Sequence, residues 1–226
     1  MNELDLSMNE IRIFKKRTFL RLDNLKKLDL SSNLGLNSLN DMFFGLNSLS
    51  ELYLSDNKMV IIKKRSFLGK DFIKKIDLSL NLIESIEEEG FYGLNGLNEL
   101  DLSLNEITNL KRRTFSGLDN LKKLDLSSNN IESIEEEVFY GLNNLNELNL
   151  ISNLKKNLSG KFLNGFVNVS ELKLGNNKIS FIEDLSFIYL KNLVRIELNN
   201  NLLIKITDFT FSYLNNLEYL DLKNNK

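Results

Sequence analysis

Leu124-Asp125-Leu126-Ser127-Ser128-Asn129-Asn130-Ile131-Glu132-Ser133-Ile134-Glu135-Glu136-Glu137-Val138-Phe139-Tyr140-Gly141-Leu142-Asn143-Asn144-Leu145-Asn146-Glu147 is one unit of a pattern that fills the chain. Its first leucine has counterparts at Leu4, Leu28, Leu52, Ile76, Leu100, Leu148, Leu172, Ile196 and Leu220, every interval being 24 residues. Two residues later a leucine follows each time, from Leu6 to Leu222. Five residues after each start stands an asparagine: Asn9, Asn33, Asn57, Asn81, Asn105, Asn129, Asn153, Asn177, Asn201 and Asn225. Fifteen after it stands phenylalanine, at Phe19, Phe43, Phe67, Phe91, Phe115, Phe139, Phe187 and Phe211, with Leu163 taking the place in the seventh repeat. A fixed period of this length marks a stacked array of one small unit, here a single array over residues 1–226.

The physics of the columns follows. Leu-x-Leu has a period of two, so both leucines point to one face of a short strand and their neighbours to the other. One such strand cannot bury its face alone, and stacking 24-residue units makes a parallel sheet over one continuous core. Each column then becomes a ladder with rungs about 4.8 Å apart. The asparagine column answers a second need. The chain turns inward after each strand and leaves backbone groups buried, and an amide offers both a donor and an acceptor to satisfy them. The phenylalanine column is expected to fill the wider outer side.

Composition removes whole classes of chemistry. The chain holds no Cys and no His. It can form no disulfide and no thiolate site, and it lacks the commonest general base and metal ligand. No phosphate-binding loop, dinucleotide fingerprint or paired-acid constellation rises above the repeat background. No catalytic residue, cofactor site or metal site is expected, and the chain is read as a non-enzyme. With 29 basic and 31 acidic residues the net charge is −2, which gives no bulk attraction to nucleic acid, and none is expected as partner. Met1 is followed by Asn2-Glu3-Leu4-Asp5-Leu6, without the basic start and apolar run of a signal peptide. No stretch approaches 18 apolar residues, so this segment is not expected to insert into a membrane.

The consensus Leu-x-x-Leu-x-Leu-x-x-Asn-x-Ile-x-x-Ile-x-x-x-x-Phe-x-x-Leu resembles the typical 24-residue subfamily of leucine-rich repeats, found in Toll-like receptors, Slit-like proteins and variable lymphocyte receptors. The resemblance covers essentially the whole chain. It implies an α/β-type solenoid: a horseshoe with a concave parallel sheet of about ten short strands, and convex connections that are irregular, turn-like or briefly helical. It also implies a protein-protein interaction module, part of a cell-surface or secreted receptor or adhesion protein. The alternative is an intracellular, cytoplasmic scaffold or regulatory subunit. Ectodomains of the family carry cysteine-rich caps, which this chain lacks; it starts inside one repeat and stops inside another at Asn224-Asn225-Lys226. The expectation is a fragment of a longer protein, against a natively capless one or one that associates end to end. Two repeats depart from the rule. Gly35 and Ser38 stand at apolar columns with Leu36 and Leu39 one place later, and Lys155 stands at an apolar column above Asn157-Leu158-Ser159-Gly160.

Charge follows its own code. Lys63-Lys64-Arg65, Glu87-Glu88-Glu89, Lys111-Arg112-Arg113 and Glu135-Glu136-Glu137 alternate at equivalent places, as do Glu3, Lys27, Glu51, Lys75, Glu99, Lys123 and Glu147 just before each start. A binding stripe and lateral ion pairs that hold register are both compatible with this; the structural reading is favoured, although exposed pairs contribute only about 0–1 kcal/mol each. The position after each start does not alternate. It reads Asp5, Asp29, Tyr53, Asp77, Asp101, Asp125, Asn149, Lys173, Glu197 and Asp221, a mildly acidic stripe on the concave face. On the same face, Leu80 and Leu104 lie in adjacent repeats, Ile151 replaces a serine and Tyr53 replaces an aspartate. Apolar and aromatic anchors carry most interface energy. The candidate partner-binding residues are therefore Tyr53, Asp77, Leu80, Asp101, Leu104, Asp125, Ile151, Lys173 and Glu197, for a protein ligand.

Two sequons, Asn157-Leu158-Ser159 and Asn168-Val169-Ser170, offer glycosylation acceptors. The pairs Asn95-Gly96 and Asn164-Gly165 would ordinarily signal hairpins, but the period places both on the outer connection.

Overall fold

A computed structural model describes residues 1–15, 17–39, 43–163 and 166–226. Ten three-residue strands form one sheet: Glu3–Asp5, Lys27–Asp29, Glu51–Tyr53, Lys75–Asp77, Glu99–Asp101, Lys123–Asp125, Glu147–Asn149, Glu171–Lys173, Arg195–Glu197 and Tyr219–Asp221. Every pairing is parallel and sets residues 24 apart opposite each other, as Ile76 faces Leu100 and Leu100 faces Leu124. The first and third residues of each Leu-x-Leu turn inward. Leu28, Leu52, Ile76, Leu124 and Leu148, with Leu30, Leu54, Leu78 and Leu126, are fully buried. The chain is thus a parallel-strand solenoid with a concave sheet face, and one apolar core runs through it from Phe19 to Leu214.

The asparagine column sits where the chain leaves the sheet. Asn81 is 4% exposed. Its Nδ2 donates to the carbonyls of Leu54, Leu78 and Ser79 at 2.9, 3.1 and 3.1 Å, and its Oδ1 accepts the Met59 N–H at 3.1 Å. Asn105, Asn129, Asn153, Asn177 and Asn201 repeat this set against their own neighbours. Each amide closes its own turn and holds the preceding one. At the first repeat Asn9 is exposed and, among the described residues, bonds the Leu6 and Ser7 carbonyls of its own loop alone.

The residue before each ladder asparagine takes the left-handed conformation in every repeat. Met8, Ser32, Asp56, Leu80, Leu104, Ser128, Ser152, Asn176, Asn200 and Asn224 have φ between 52° and 59°. The turn demands it, because the chain must reverse from strand to core within two residues.

On the outer side, short two-stranded pairs (Ile61–Ile62 with Ser85–Ile86, Asn109–Leu110 with Ser133–Ile134, Asn157–Leu158 with Phe181–Ile182) lead into turns. One four-residue helix, Gly160–Leu163, is described. The phenylalanines stack along the array from Phe43 to Phe139, with ring centroids 5.8–6.0 Å apart. In the seventh repeat the stack does not stop at Leu163. Phe166, three residues on, brings its ring 5.0 Å from Phe139, tilted by 37°. Leucine and phenylalanine have exchanged columns there, and both are fully buried. Gly45, Gly69, Gly93, Gly117 and Gly141 follow the phenylalanines with positive φ; a Cβ on Gly93 would meet the Leu68 Cα at 2.8 Å.

The irregular second repeat resolves as a one-residue shift. Leu36 and Leu39 are buried. The Leu36 carbonyl accepts the Lys58 N–H at 3.1 Å, the role Met59 plays for Leu82. Lys155 of the seventh repeat is partly buried, and its N–H still reaches Asn177 Oδ1 at 3.2 Å. Asn95 and Gly96 lie in an outer turn rather than a hairpin; the Asn164-Gly165 pair lies outside the described residues.

Candidate ligand-binding face

Strand residues that point away from the core form the floor of the concave face. Asp77, Asp101 and Asp125 stand opposite one another on three successive strands. Each carboxylate also acts locally and accepts the N–H of the serine two residues on, from Ser79, Ser103 and Ser127, all at 2.9 Å. This Asx turn repeats at Asp5, Asp29 and Asp221, and Asn149 performs it for Ile151 at 3.1 Å. The aspartate column therefore has a structural cause as well as a surface consequence. Burial pushes the Asp101 carboxyl above its ordinary value. Ser103 opposes that shift, while Asp125 and Asp77 add to it.

The column beside it is internally neutralised. Lys75 pairs with Glu99 and Lys123 with Glu147, both at 3.1 Å. Among the described residues no ion pair joins these three aspartates to a lysine, and the centre of the face is net negative. Asn149 donates to Asp125 at 2.9 Å and ends the run. Beyond it, Lys173 bridges Glu147 at 2.5 Å and Glu171 at 3.6 Å. Burial would raise the Glu147 carboxyl, but the Lys173 and Lys123 ammonium groups outweigh it and hold it low. Glu197 pairs with Arg195 at 2.9 Å, and the Arg195 guanidinium lies 3.8 Å from the Tyr219 ring centre.

The nine candidates therefore separate. Tyr53 stands opposite Asp77, donates its hydroxyl to Glu51 at 2.9 Å and receives Lys27 over its ring. Asp77, Asp101 and Asp125 are contiguous. Leu80 and Leu104 occupy adjacent repeats, 51% and 49% exposed. They lie in the turn just past their strands, at the rim of the sheet face and not on its floor. Leu82 joins them there, also exposed. Ile151 is half-buried and sits two repeats further along. Lys173 and Glu197 are spoken for by ion pairs and lie apart from this group.

Outside the sheet, the alternating triplets meet as lateral pairs. Lys64 and Arg65 approach Glu89 at 3.4 and 3.2 Å, and Lys161 approaches Glu136 at 2.9 Å. The backbone N–H groups of Lys64 and Arg112 donate to Glu87 and Glu135 at 2.8 Å. A second asparagine ladder, not anticipated from sequence, runs along the outer turns. Asn120, Asn144, Asn168, Asn192 and Asn216 each donate to a carbonyl in the preceding repeat at 2.6–2.8 Å. Of the two sequons, Asn168 is thus engaged, whereas the Asn157 side chain is exposed on an outer strand. Also missed was an exposed apolar column one residue after the phenylalanines: Leu20, Phe44, Leu68, Tyr92 and Tyr140. Among the described residues no acidic cluster has the form of a metal site, and no helix is long and apolar enough to cross a membrane.

A family model described as Leucine rich repeat matches residues 1–59, 71–131, 119–179 and 167–226. No curated protein matches the sequence. Among solved structures, a chain of the glycosylated Drosophila Toll–Spatzle complex superposes with a TM-score of 0.92 at 23% identity, over 99% of this chain and 32% of that one. A Leptospira interrogans LRR protein gives 0.84 at 29%, over 98% and 54%. A chain of a TLR13–ssRNA13 complex gives 0.73 at 26%, over 93% and 34%. This chain spans roughly a third to a half of the length of the chains it matches.

Proposed function

This chain belongs to the leucine-rich-repeat family, and from that premise we propose that it is a non-enzymatic binding module that holds a protein ligand on the concave face, within a cell-surface or secreted receptor or adhesion protein. The observation that carries this reading is the pair Leu80 and Leu104. Both are large, apolar and half exposed, and both sit at a left-handed position with φ of 54° and 55°. The same column holds Ser, Asp or Asn in seven other repeats. A leucine there costs backbone energy, roughly 1–2 kcal/mol, and leaves apolar surface in water. About half of each side chain stays in water, so packing alone does not account for either leucine, and two in adjacent repeats point to a contact outside the chain. The unneutralised Asp77, Asp101 and Asp125 beside them favour a polypeptide over a polyanion on this face. Among the similar structures is one of a Toll–Spatzle complex, 26% identical to this chain.

Site-directed photocrosslinking tests this reading. A benzophenone side chain at position 104, on the rim, should trap a protein partner in the native cell. The same probe at position 140, on the outer side, should not trap it, and L80N should abolish the crosslink from 104. A partner trapped from 140 and never from 104 would overturn the site.

A further inference from the structure

The third repeat carries the wrong residues for folding in two neighbouring columns. Three residues after each phenylalanine position the chain buries an apolar side chain, as at Leu46 and Leu94. The third repeat places Lys70 there, half-buried. Two residues further on, where later repeats place the donors of the outer asparagine ladder, it places Phe72, 67% exposed. The cation has gone inward and the aromatic ring outward. The next repeat has Gly96 in that ladder column, so the ladder is broken at both repeats, and a Cβ at Gly96 would strike the Asp71 carbonyl.

The surface around this break is apolar and positive. Leu68 and Phe72 flank Lys70, and the exposed column continues through Phe44 on one side and Tyr92 on the other. Lys64 and Arg65 are neutralised by Glu89, but Lys63 and Lys70 have no carboxylate partner among the described residues. Asp71, in the same turn, accepts the Asn95 amide instead. Burial holds the Lys70 ammonium below the usual lysine range, and an incoming carboxylate would restore what burial removes.

We propose that the outer turn of the third repeat, centred on Leu68, Lys70 and Phe72, is a second docking surface, for an acidic polypeptide segment bearing apolar side chains. Charge complementarity chooses this occupant. An unpaired Lys70 between exposed Leu68 and Phe72, with unpaired Lys63 in the same repeat, is complementary to carboxylates carried on an apolar chain. This surface is separate from the concave face and does not depend on the function assigned to it.

The test uses two labelled peptides in fluorescence anisotropy, one of alternating Glu and Phe and one of alternating Lys and Phe. The Glu/Phe peptide should bind the chain at least tenfold more tightly. The variant K70L/F72N, which restores the pattern of the sibling repeats, should raise the Tm and weaken that binding at least tenfold. K70E should reverse the preference between the two peptides, and L80N/L104N should leave it unchanged. Equal affinity for both peptides, or undiminished binding by K70L/F72N, overturns the proposal. So does concentration-dependent dimerisation that K70L/F72N abolishes, which would assign the surface to a second copy of the chain.

Discussion

Asn105 Oδ1 accepts the Ile83 N–H at 3.0 Å while its Nδ2 donates to the Leu78 and Leu102 carbonyls at 3.0 and 3.1 Å. One side chain thus closes its own turn and ties down the repeat before it. Each of these groups is buried, and an unsatisfied buried group costs about 1–3 kcal/mol. Asn105→Leu should therefore destabilise the chain by about 3 kcal/mol or more in urea denaturation. Asn9→Ala, at an exposed rung without the cross-repeat bonds, should cost about 1 kcal/mol or less. Equal losses at the two sites would mean that the inter-repeat bonds contribute nothing.

Leu80→Asn and Leu104→Asn should each stabilise the isolated chain, by up to about 1 kcal/mol, because asparagine tolerates the left-handed region better than leucine does. The readout is the midpoint of chemical denaturation. Destabilisation by both would show that these leucines serve packing and would remove the argument for a contact.

Asp101→Asn keeps the acceptor for Ser103, as Asn149 does for Ile151. The Asp101 carboxyl is raised in the folded state by burial, with Asp125 and Asp77 adding to it. The native protein therefore binds this proton more tightly than the unfolded chain. The cost to stability is complete above the folded pKa and vanishes as pH falls below the unfolded value, near ~3.9. The variant should be more stable than the parent at neutral pH, and the difference should close in acid. A parent that is the more stable one at neutral pH would contradict this.

Phe166→Ala should cost about 3–5 kcal/mol, as for a fully buried core phenylalanine, although it stands in a leucine column. Leu163→Phe, which restores the consensus letter, should instead lose about 1–3 kcal/mol by overpacking. Thermal unfolding separates the cases; a stabilising Leu163→Phe would show that the ring of Phe166 is not filling the column.

If the chain passes through a secretory pathway, glycopeptide mass spectrometry should find Asn157 occupied and Asn168 bare. Asn168 donates to the Asn143 carbonyl at 2.6 Å, within a row of such bonds. Full occupancy at Asn168 with none at Asn157 would show that the outer ladder does not protect its amides.

The 24-residue period was enough to derive the parallel sheet, its register and the buried leucines, because in a stacked array one offset specifies every neighbour. The first asparagine column could be explained the same way. Other features resisted. Leu68 and Phe67 are adjacent apolar letters in columns that both look like core, yet one is exposed and the other buried. The aspartate column read as a surface stripe, but its regularity also comes from the serine N–H groups it accepts. The leucines at 80 and 104 were placed on the sheet face, whereas they lie at its rim, because a left-handed turn begins one step beyond the strand.

By itself, then, the sequence determined what repetition can encode: which residues recur, at what interval, and hence which must share a ladder. Only the tertiary structure decided direction at the turns, where φ changes sign and neighbouring side chains part to opposite sides. It alone showed Phe166 filling the column that Leu163 leaves, Lys70 turned partly inward beside an outward Phe72, and amides such as Asn168 bonded across repeats. The physical reason is that period-two alternation assigns faces in a strand, while in an irregular turn orientation depends on the backbone of the adjacent repeat, which no single unit of sequence contains.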